Sequence, residues 1–458
     1  NKNKFSLDNF LIIPFSNVKK FPNDKWLMFY DLDFRFKDYA KDILNFFLST
    51  NDNVNIIYTD EDQINIKGER INPDFKSSWD KELFFTWPNF SGTWIIKSNI
   101  WNTAFDKNKK NRFKNEFLSV LLEIIKIIES DSNSQNKIYH LPMILAHKKL
   151  SKSKNLNNKN SELRYSIFNE QLKTNKKFLH CNGFEINNDL SNIKYNWELK
   201  NSSKLSILIP IRDKVELLKQ CLNSFEICKP GIDIEVIIID NDSKCRKTIS
   251  FLNDFIQNKN IFYKRKVIKV SGEFNFSKLN NIGFQQTSGD VILLLNNDVV
   301  FASPYWGKEL ASNALRNDIG CVGSKLLFHD KTIQHSGIIL GMGGVAGHIY
   351  KYLENNNKLM HKINSQREYS AVTGACLAIS RENWMVLNGL DSKNLKVNYN
   401  DVDLCLRCRE LGLRNIILPQ VLAFHFESKS RGRPIGRSYI QWKLEAFYLK
   451  KRWRNIII

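Results

Sequence analysis

From Leu205 onward, short apolar runs alternate with amphipathic stretches. Leu205 to Ile209 (LSILI) reads as a buried strand closed by Pro210, and Lys214 to Phe225 repeats its apolar residues at helical spacing. Asp233 to Ile239 is a second strand pattern, ending at Asp240-Asn241-Asp242-Ser243. Helical patterns at Lys247 to Gln257 and Ser277 to Gln286 flank a third strand pattern at Phe262 to Val270. Val291 to Leu295 (VILLL) is apolar at every position, as suits a strand covered on both faces, and it stops at Asn296-Asn297-Asp298. Strands alternating with helices predict an α/β domain with a doubly wound, mostly parallel sheet. Such sheets bind ligands at the carboxyl ends of their strands, where Asp240 and Asp298 fall.

The first part of the chain shares pieces of this pattern. WLMFYDLD (from Trp26) parallels VILLLNND, NFSGTWIIKSNIW (from Asn89) parallels AVTGACLAISRENW (Ala371 to Trp384), and LPMILAH (Leu141 to His147) parallels LPQVLAFH (Leu418 to His425). Three matches in one order mark an internal repeat. The first copy lacks a counterpart of the strands at 205 and 234, and carries Asn115-Glu116-Phe117-Leu118 against Asn400-Asp401-Val402-Asp403. A strand at Asn55 to Thr59 is expected to end at Asp60-Glu61-Asp62, a strand pair to turn around Pro142, and a helix to span Phe117 to Ile128. The expected organisation is a shortened, inactive domain at 1–150, a polar connector at 151–203 and a complete domain at 204–458.

Composition narrows the class. The 458 residues are 42% hydrophobic and 12% aromatic, enough for packed cores rather than disorder. Lys+Arg 68 against Asp+Glu 47 gives a net charge of +21, which attracts phosphorylated small molecules, anionic lipid or nucleic acid. No helix-turn-helix, zinc or RNA-recognition signature supports nucleic acid. No apolar run approaches the roughly 18 residues of a membrane span, and no signal-peptide pattern is present. The expected location is cytosolic, with peripheral contact to an anionic membrane through Lys450-Lys451-Arg452-Trp453-Arg454. The eight cysteines are scattered and read as reduced, buried thiols. Cys405 and Cys408 have zinc-like spacing but lie in a helical pattern without a second pair, so no zinc site is expected there.

The candidate chemistry is acidic. Asp240 and Asp298 end strands, while Asp401 and Asp403 open a helix (DVDLCLRCREL), where carboxylates complement the helix dipole and one can serve as a base. An Asp at a strand end can hold a hard divalent cation through oxygen. His425 ends a short apolar strand, with His147 at the matching place of the first copy. Gly341-Met342-Gly343-Gly344-Val345-Ala346 fits a loose dinucleotide pattern, but no long helix follows it, so it reads as a flexible loop over an acceptor cleft or as a plain surface loop.

These segments together resemble a known family. LSILIPIRD, EVIIIDNDS, FNFSKLNNIG, GDVILLLNNDVV, GCVGSKLLF, TIQHSGIILGMGGVAGH, SAVTGACLAISR, NDVDLCLRCRELG and HFESKSRG are similar, in order, to glycosyltransferase family 2 of bacterial surface-polysaccharide synthesis. YTDEDQI and NPDFKSSW resemble the first copy of its tandem members. The resemblance implies a GT-A fold, complete in the C-terminal half and shortened in the N-terminal half. It implies an inverting hexosyl or deoxyhexosyl transfer from a nucleotide sugar to a glycan or lipid-linked glycan hydroxyl, assisted by Mg²⁺ or Mn²⁺. By it, Pro210, Arg212 and Asp240 contact the nucleotide, Lys278 and Asn281 lie on the donor-side helix, and Asn296-Asn297-Asp298 replaces the usual Asp-x-Asp while keeping its last carboxylate. Asp401 falls on the catalytic base, His425 on a metal- or diphosphate-contacting position, and Asp403 and Gly374 on the acceptor side. The competing readings are a non-catalytic glycan-binding or scaffold protein of the same pathway and, behind it, a nucleic-acid-binding protein.

Overall fold

The computed structural model describes residues 10–30, 34–51, 53–86, 93–108, 116–130, 138–149, 172–186, 193–355, 363–426 and 436–457. The chain divides into two compact units, Asn1–Asp80 with Pro88–Phe184, and Lys81–Trp87 with Glu185–Ile458.

In the first unit, β1 (Phe10–Pro14), β2 (Trp26–Tyr30), β3 (Phe34–Phe36), β4 (Ile56–Ile64), β5 (Arg70–Asp74), β6 (Trp94–Lys97) and β7 (Ile138–Lys149) form one sheet. Its order is β1-β2-β6-β4-β7-β3, with β5 on the side of β4. The same part of the chain carries helices α1 (Ala40–Thr50), α2 (Lys81–Thr86), α3 (Ser98–Asn108) and α4 (Glu116–Ser130), of which α2 belongs to the second unit.

In the second unit the main strands are β8 (Lys204–Ile211), β9 (Asp233–Asp240), β10 (Lys264–Lys269), β11 (Val291–Leu295), β12 (Val299–Phe301), β13 (Ile319–Leu327), β14 (Ile333–His335), β17 (Arg367–Tyr369), β18 (Cys376–Ser380) and β19 (Arg414–His425). They run in the order β10-β9-β8-β11-β18-β13-β19-β12, with β14 on β13 and β17 on β19. Between β14 and β17, β15 (Ile338–Leu340) and β16 (Ala346–His348) form a separate hairpin. The helices are α5 (Val215–Ile227), α6 (Arg246–Gln257), α7 (Phe276–Phe284), α8 (Trp306–Ala314), α9 (Arg381–Val386), α10 (Asn400–Glu410) and α11 (Arg437–Arg452). The expected α/β class and the doubly wound part are present: β10, β9, β8 and β11 are parallel. Beyond β11 the sheet is mixed, because β18 runs antiparallel to both β11 and β13.

All five β11 side chains are fully buried. Alternation divides them: Val291, Leu293 and Leu295 pack into one apolar cluster, Ile292 and Leu294 into the other. The strand is therefore the shared wall of two cores.

The two sheets follow the same path. From β1 to β3, successive pairings are parallel, antiparallel, antiparallel, parallel and antiparallel. From β8 through β11, β18, β13 and β19 to β12, they are the same. In both, the long last-but-one strand shifts register beside its proline, Pro142 in β7 and Pro419 in β19.

Four expectations change. The strand pair expected around Pro142 is one continuous strand, β7, whose register shifts there. The first unit does contain a counterpart of the strand at 205, because β1 pairs with β2 as β8 pairs with β11. Counterparts of β9 and β10 are absent among the described residues. His147 is not the register partner of His425: Phe36 opposes Ala146 as Phe301 opposes Ala423, which sets Lys148 opposite Phe34 where His425 stands opposite Val299. Finally, β4 continues through Asp60-Glu61-Asp62 instead of ending there. These acids stay in a buried strand because each is paired, Asp60 with His140 (2.7 Å), Glu61 with Lys76 (3.6 Å) and Asp62 with Arg70 (2.6 Å) and His147. Asp31 and Asp33 lie outside the described residues.

Within the second unit, α2 supplies a buried anion. Glu82 accepts from Arg316 (2.6 Å), Arg414 (2.8 Å) and Gln366 (2.5 Å). Burial alone would raise its pKa, but the two guanidiniums outweigh it and hold the carboxyl well below the usual range. Glu82→Ala leaves two buried cations without this partner and is expected to cost about 3–5 kcal/mol of second-unit stability, read from urea unfolding. Because the folded pKa is depressed, the contribution of Glu82 is complete above its unfolded value near 4.5 and fades as pH falls below it. The difference between parent and variant should therefore narrow in acid.

Candidate active site

Parallel pairing aligns the carboxyl ends of β8, β9 and β11 on one edge, since Ile211 lies opposite Asp240 and Leu208 opposite Leu294. Pro210 is buried at the end of β8, and Arg212 is exposed just beyond it. Asp240, 3% exposed, accepts the Ser243 N–H (3.1 Å) and so shapes the turn after β9. Asp213 stitches the two loops together. Its carboxylate accepts the N–H groups of Lys244 (2.9 Å) and Cys245 (2.8 Å), and its own N–H donates to Ser243 (2.8 Å). Asp213 and Lys214 both have left-handed backbones (φ 57° and 58°), an arrangement that this stitching holds in place.

Asp298 and His425 meet at the end of β11. Val299 lies opposite His425 in the β12–β19 pair, which brings Asp298 Oδ1 to 3.1 Å from His425 Nε2. Gln334 braces the ring from behind: its Oε1 lies 2.9 Å from His425 Nδ1, while its amide Nε2 donates to the His425 carbonyl (3.5 Å). That orientation places the imidazole proton on Nδ1. Nε2 then presents a lone pair, which accepts from the Asn296 amide (3.3 Å) and also faces the Asp298 carboxylate. A carboxylate oxygen and an imidazole nitrogen at this distance would suit a shared proton or a bound cation. Asp298 and His425 would supply one oxygen and one nitrogen to a divalent ion such as Mg²⁺, were one bound. Among the described residues no group of three or more His, Cys, Asp and Glu side chains gathers around such a point, which leaves the remaining ligands to a substrate or water.

Asp401 opens α10. Its Oδ2 accepts the Gly374 N–H (2.8 Å) and its Oδ1 accepts the Val402 N–H (2.8 Å). Burial raises its pKa above the ordinary Asp value, against the pull of these hydrogen bonds. Gly374 fits closely, since a Cβ there would lie 3.3 Å from Asp401 Cβ. The turn also reaches the other acid's loop: the Asn296 N–H donates to the Ala375 carbonyl (2.9 Å).

Other expected site residues turn out to be braces. Asp403, expected on the acceptor side, is fully buried between Arg407 (2.8 Å), the Trp453 indole (3.0 Å) and Arg452 (3.3 Å). Its pairing to α11 explains why an acid is tolerated there. Asn281 spends its amide on Leu390, accepting from its N–H (2.9 Å) and donating to its carbonyl (2.8 Å). Lys278 is exposed in the first turn of α7, and Asn297 is partly exposed in the turn before β12. The sequence reading missed Asp213, Gln334, Thr373 and Glu445. Glu445 of α11 accepts the N–H groups of Lys396 (2.8 Å), Val397 (3.1 Å) and Asn398 (2.8 Å), fixing the segment that leads into α10. Gln334 lay within a quoted motif, but a polar pair in a three-residue strand has no period to betray it.

The raised pKa of Asp401 makes a stability prediction. Wild type loses stability as pH rises from the unfolded value near 3.8 through the raised folded value, because ionisation is then disfavoured only in the folded state. Asp401→Asn lacks that loss. Thermal melts across pH should show the variant gaining on the parent as pH rises, whatever constant offset the lost hydrogen bond adds.

Comparison with known proteins follows this geometry. Residues 206–382 match the model of "Glycosyl transferase family 2". An uncharacterized protein, y4gI, of Sinorhizobium fredii (strain NBRC 101917 / NGR234) is 29% identical over 87% of this chain and 44% of its own length. The O-antigen biosynthesis protein RfbC of Myxococcus xanthus is 32% identical over 51% of this chain and 18% of its own. The chain thus spans less than half the length of either relative. Among solved structures, GalNAc-T7 with UDP, GalNAc and Mn²⁺ superposes with a TM-score of 0.44 at 16% identity, over 55% of this chain and 49% of that one. The mannosyltransferase PcManGT of Pyrobaculum calidifontis, with GDP-Man and Mn²⁺, gives 0.37 at 12% identity over 55% and 64%. The family match takes in β8 to β18 and, with the loops between them, Asp240, Asp298 and Gly374.

Proposed function

We propose that the second unit transfers a sugar from a nucleotide-sugar donor to a hydroxyl of a surface polysaccharide or lipid-linked glycan, with inversion at the anomeric carbon. The observation that carries this reading is the pair of acids in and beside the matched segment, Asp298 buried and Asp401 half-buried. Asp298 lies 3.1 Å from His425, and Asp401 accepts two N–H groups at a helix start. The loops tied by Asp213 and Asp240 receive the nucleotide, with Pro210 and Arg212 beside them. Asp298 and His425 would hold a divalent cation such as Mg²⁺ or Mn²⁺. When bound, such an ion neutralises charge on a leaving diphosphate. Asp401 accepts the proton of the acceptor hydroxyl. Its raised pKa suits that task, because a base works best with a pKa nearer the working pH. Lys278, exposed above α7, adds positive charge on the donor side.

The test is a panel of nucleotide sugars read by released nucleoside diphosphate. Asp401→Asn is expected to lower turnover by about 10²–10⁴-fold with donor affinity little changed. Asp298→Ala should abolish chelator-sensitive turnover. Glu116→Gln in the first unit should leave turnover unchanged. Full activity in Asp401→Asn would overturn the assignment of the base.

A peripheral membrane position belongs to the same reading. No helix among the described residues is long and apolar enough to cross a membrane. On α11, Ile440, Leu444 and Phe447 are 59%, 64% and 69% exposed and share one stripe at i, i+4, i+7 spacing. Lys443 and Lys450 flank it on one side, Arg437 on the other, and Lys451 continues it. An apolar stripe with basic shoulders suits an anionic bilayer surface, where each cation adds about 1 kcal/mol. The chain should sediment with phosphatidylserine-containing vesicles at low salt and lose that binding when Ile440, Leu444 and Phe447 become serine. Equal binding to neutral vesicles would overturn this, as would self-association in solution through the same stripe.

A further inference from the structure

His335 is fully buried and contacts neighbours through both ring nitrogens. The Thr373 N–H lies 3.3 Å from Nε2, and a backbone N–H can only donate, so Nε2 carries a lone pair. A neutral imidazole then bears its proton on Nδ1. That atom lies 2.9 Å from His348 Nδ1, which must accept. Burial, with His348 and His425 nearby, holds the His335 pKa well below the ordinary value, in keeping with a neutral ring. One tautomer satisfies both contacts and the other satisfies neither.

The two contacts lead to different parts of the unit. Thr373 precedes Gly374 in the turn whose N–H holds Asp401. His348 ends β16, opposite Ile338, in the hairpin that turns at Gly341, Met342, Gly343 and Gly344. The hairpin itself rests on the same turn's approach, since Ile338 and Ala371 exchange backbone hydrogen bonds. Gln334, the preceding residue, braces His425. Adjacent residues of β14 thus support the surroundings of both acids.

We propose that His335 is a positioning residue, which orients Asp401 by accepting the Thr373 N–H and ties the glycine-rich hairpin to that turn by donating to His348. The inference rests on the reading of Asp401 as the base. His335 itself touches no reacting group. Without its Nε2 the Thr373 N–H has no acceptor, and the turn relaxes. A displacement of about 1 Å at a catalytic group costs on the order of 10²-fold in rate.

Glutamine and asparagine separate the two contacts. His335→Gln places an amide oxygen near the former Nε2, and can accept from Thr373. His335→Asn reaches only the former Nδ1, and can donate to His348 but not accept from Thr373. His335→Asn is expected to lower kcat by about 10²-fold with donor KM unchanged, while His335→Gln recovers to within about tenfold of the parent. Equal losses in both, tracking their melting temperatures, would reduce His335 to a packing residue and overturn the proposal. So would full activity in both. Nitrogen-15 NMR of the parent tests the tautomer without any assay: protonation at Nε2 would overturn the proposal even if Asp401 proves to be the base. Conversely, a tolerated Asp401→Asn alongside an Nδ1–H ring would remove the base reading on its own.

Discussion

The antiparallel insertion of β18 between β11 and β13 is the constraint on which the candidate site depends. A strand that runs against β11 begins where β11 ends. Its entry turn, Thr373 to Ala375, is therefore set beside Asn296, and the Asn296 N–H joins them directly. Next to it, β13 runs with β11, and β14 returns from the same edge, carrying Gln334 and His335. β19 runs parallel to β13 and brings His425 to that edge as well. Residues scattered from position 240 to 425 converge because sheet direction leaves them nowhere else to end.

Support for the proposed base comes from two opposite sides. On one, the β14 histidine fixes the turn that binds its carboxylate. On the other, α11 grips the chain before α10 through Glu445 and the helix itself through Asp403. The same α11 carries the exposed stripe of Ile440, Leu444 and Phe447. An acceptor-bearing surface that docks on α11 would thus sit on the element that anchors the base.

Parts of this were legible in the sequence, for physical reasons. β11 was, because five consecutive apolar residues closed by amides fit few structures besides a strand buried on both faces. α5, α6 and α7 were, because their apolar spacing is regular, whereas α8 and α9 were not read as helices. β1 was not: FLIIP has no regular helix after it and reads as loop. The end of β4 was misread because Asp60-Glu61-Asp62 looks like a break until His140, Lys76 and Arg70 are seen beside it. Asp401 could be read from its place at a helix start, whereas Asp403, two residues on, could not be read as a brace, because Arg452 and Trp453 lie about fifty positions away. Glycines and polar pairs in short strands carry no period, which hid Gln334 and His335.

The ion-pair cluster around Glu82 has a consequence for how the protein is made. Glu82 and Arg414 are 332 positions apart, yet both belong to one compact unit. On a ribosome, α2 leaves the exit tunnel long before its cationic partners exist. The first unit pairs strands within its first 149 residues, but the core of the second takes in residues up to Ile457 and closes late. Such long-range pairings fold slowly, because the entropy of closing a large loop is lost before any contact repays it. During that interval β11 lacks β18, its later neighbour, and offers an apolar edge on which partly folded chains can associate.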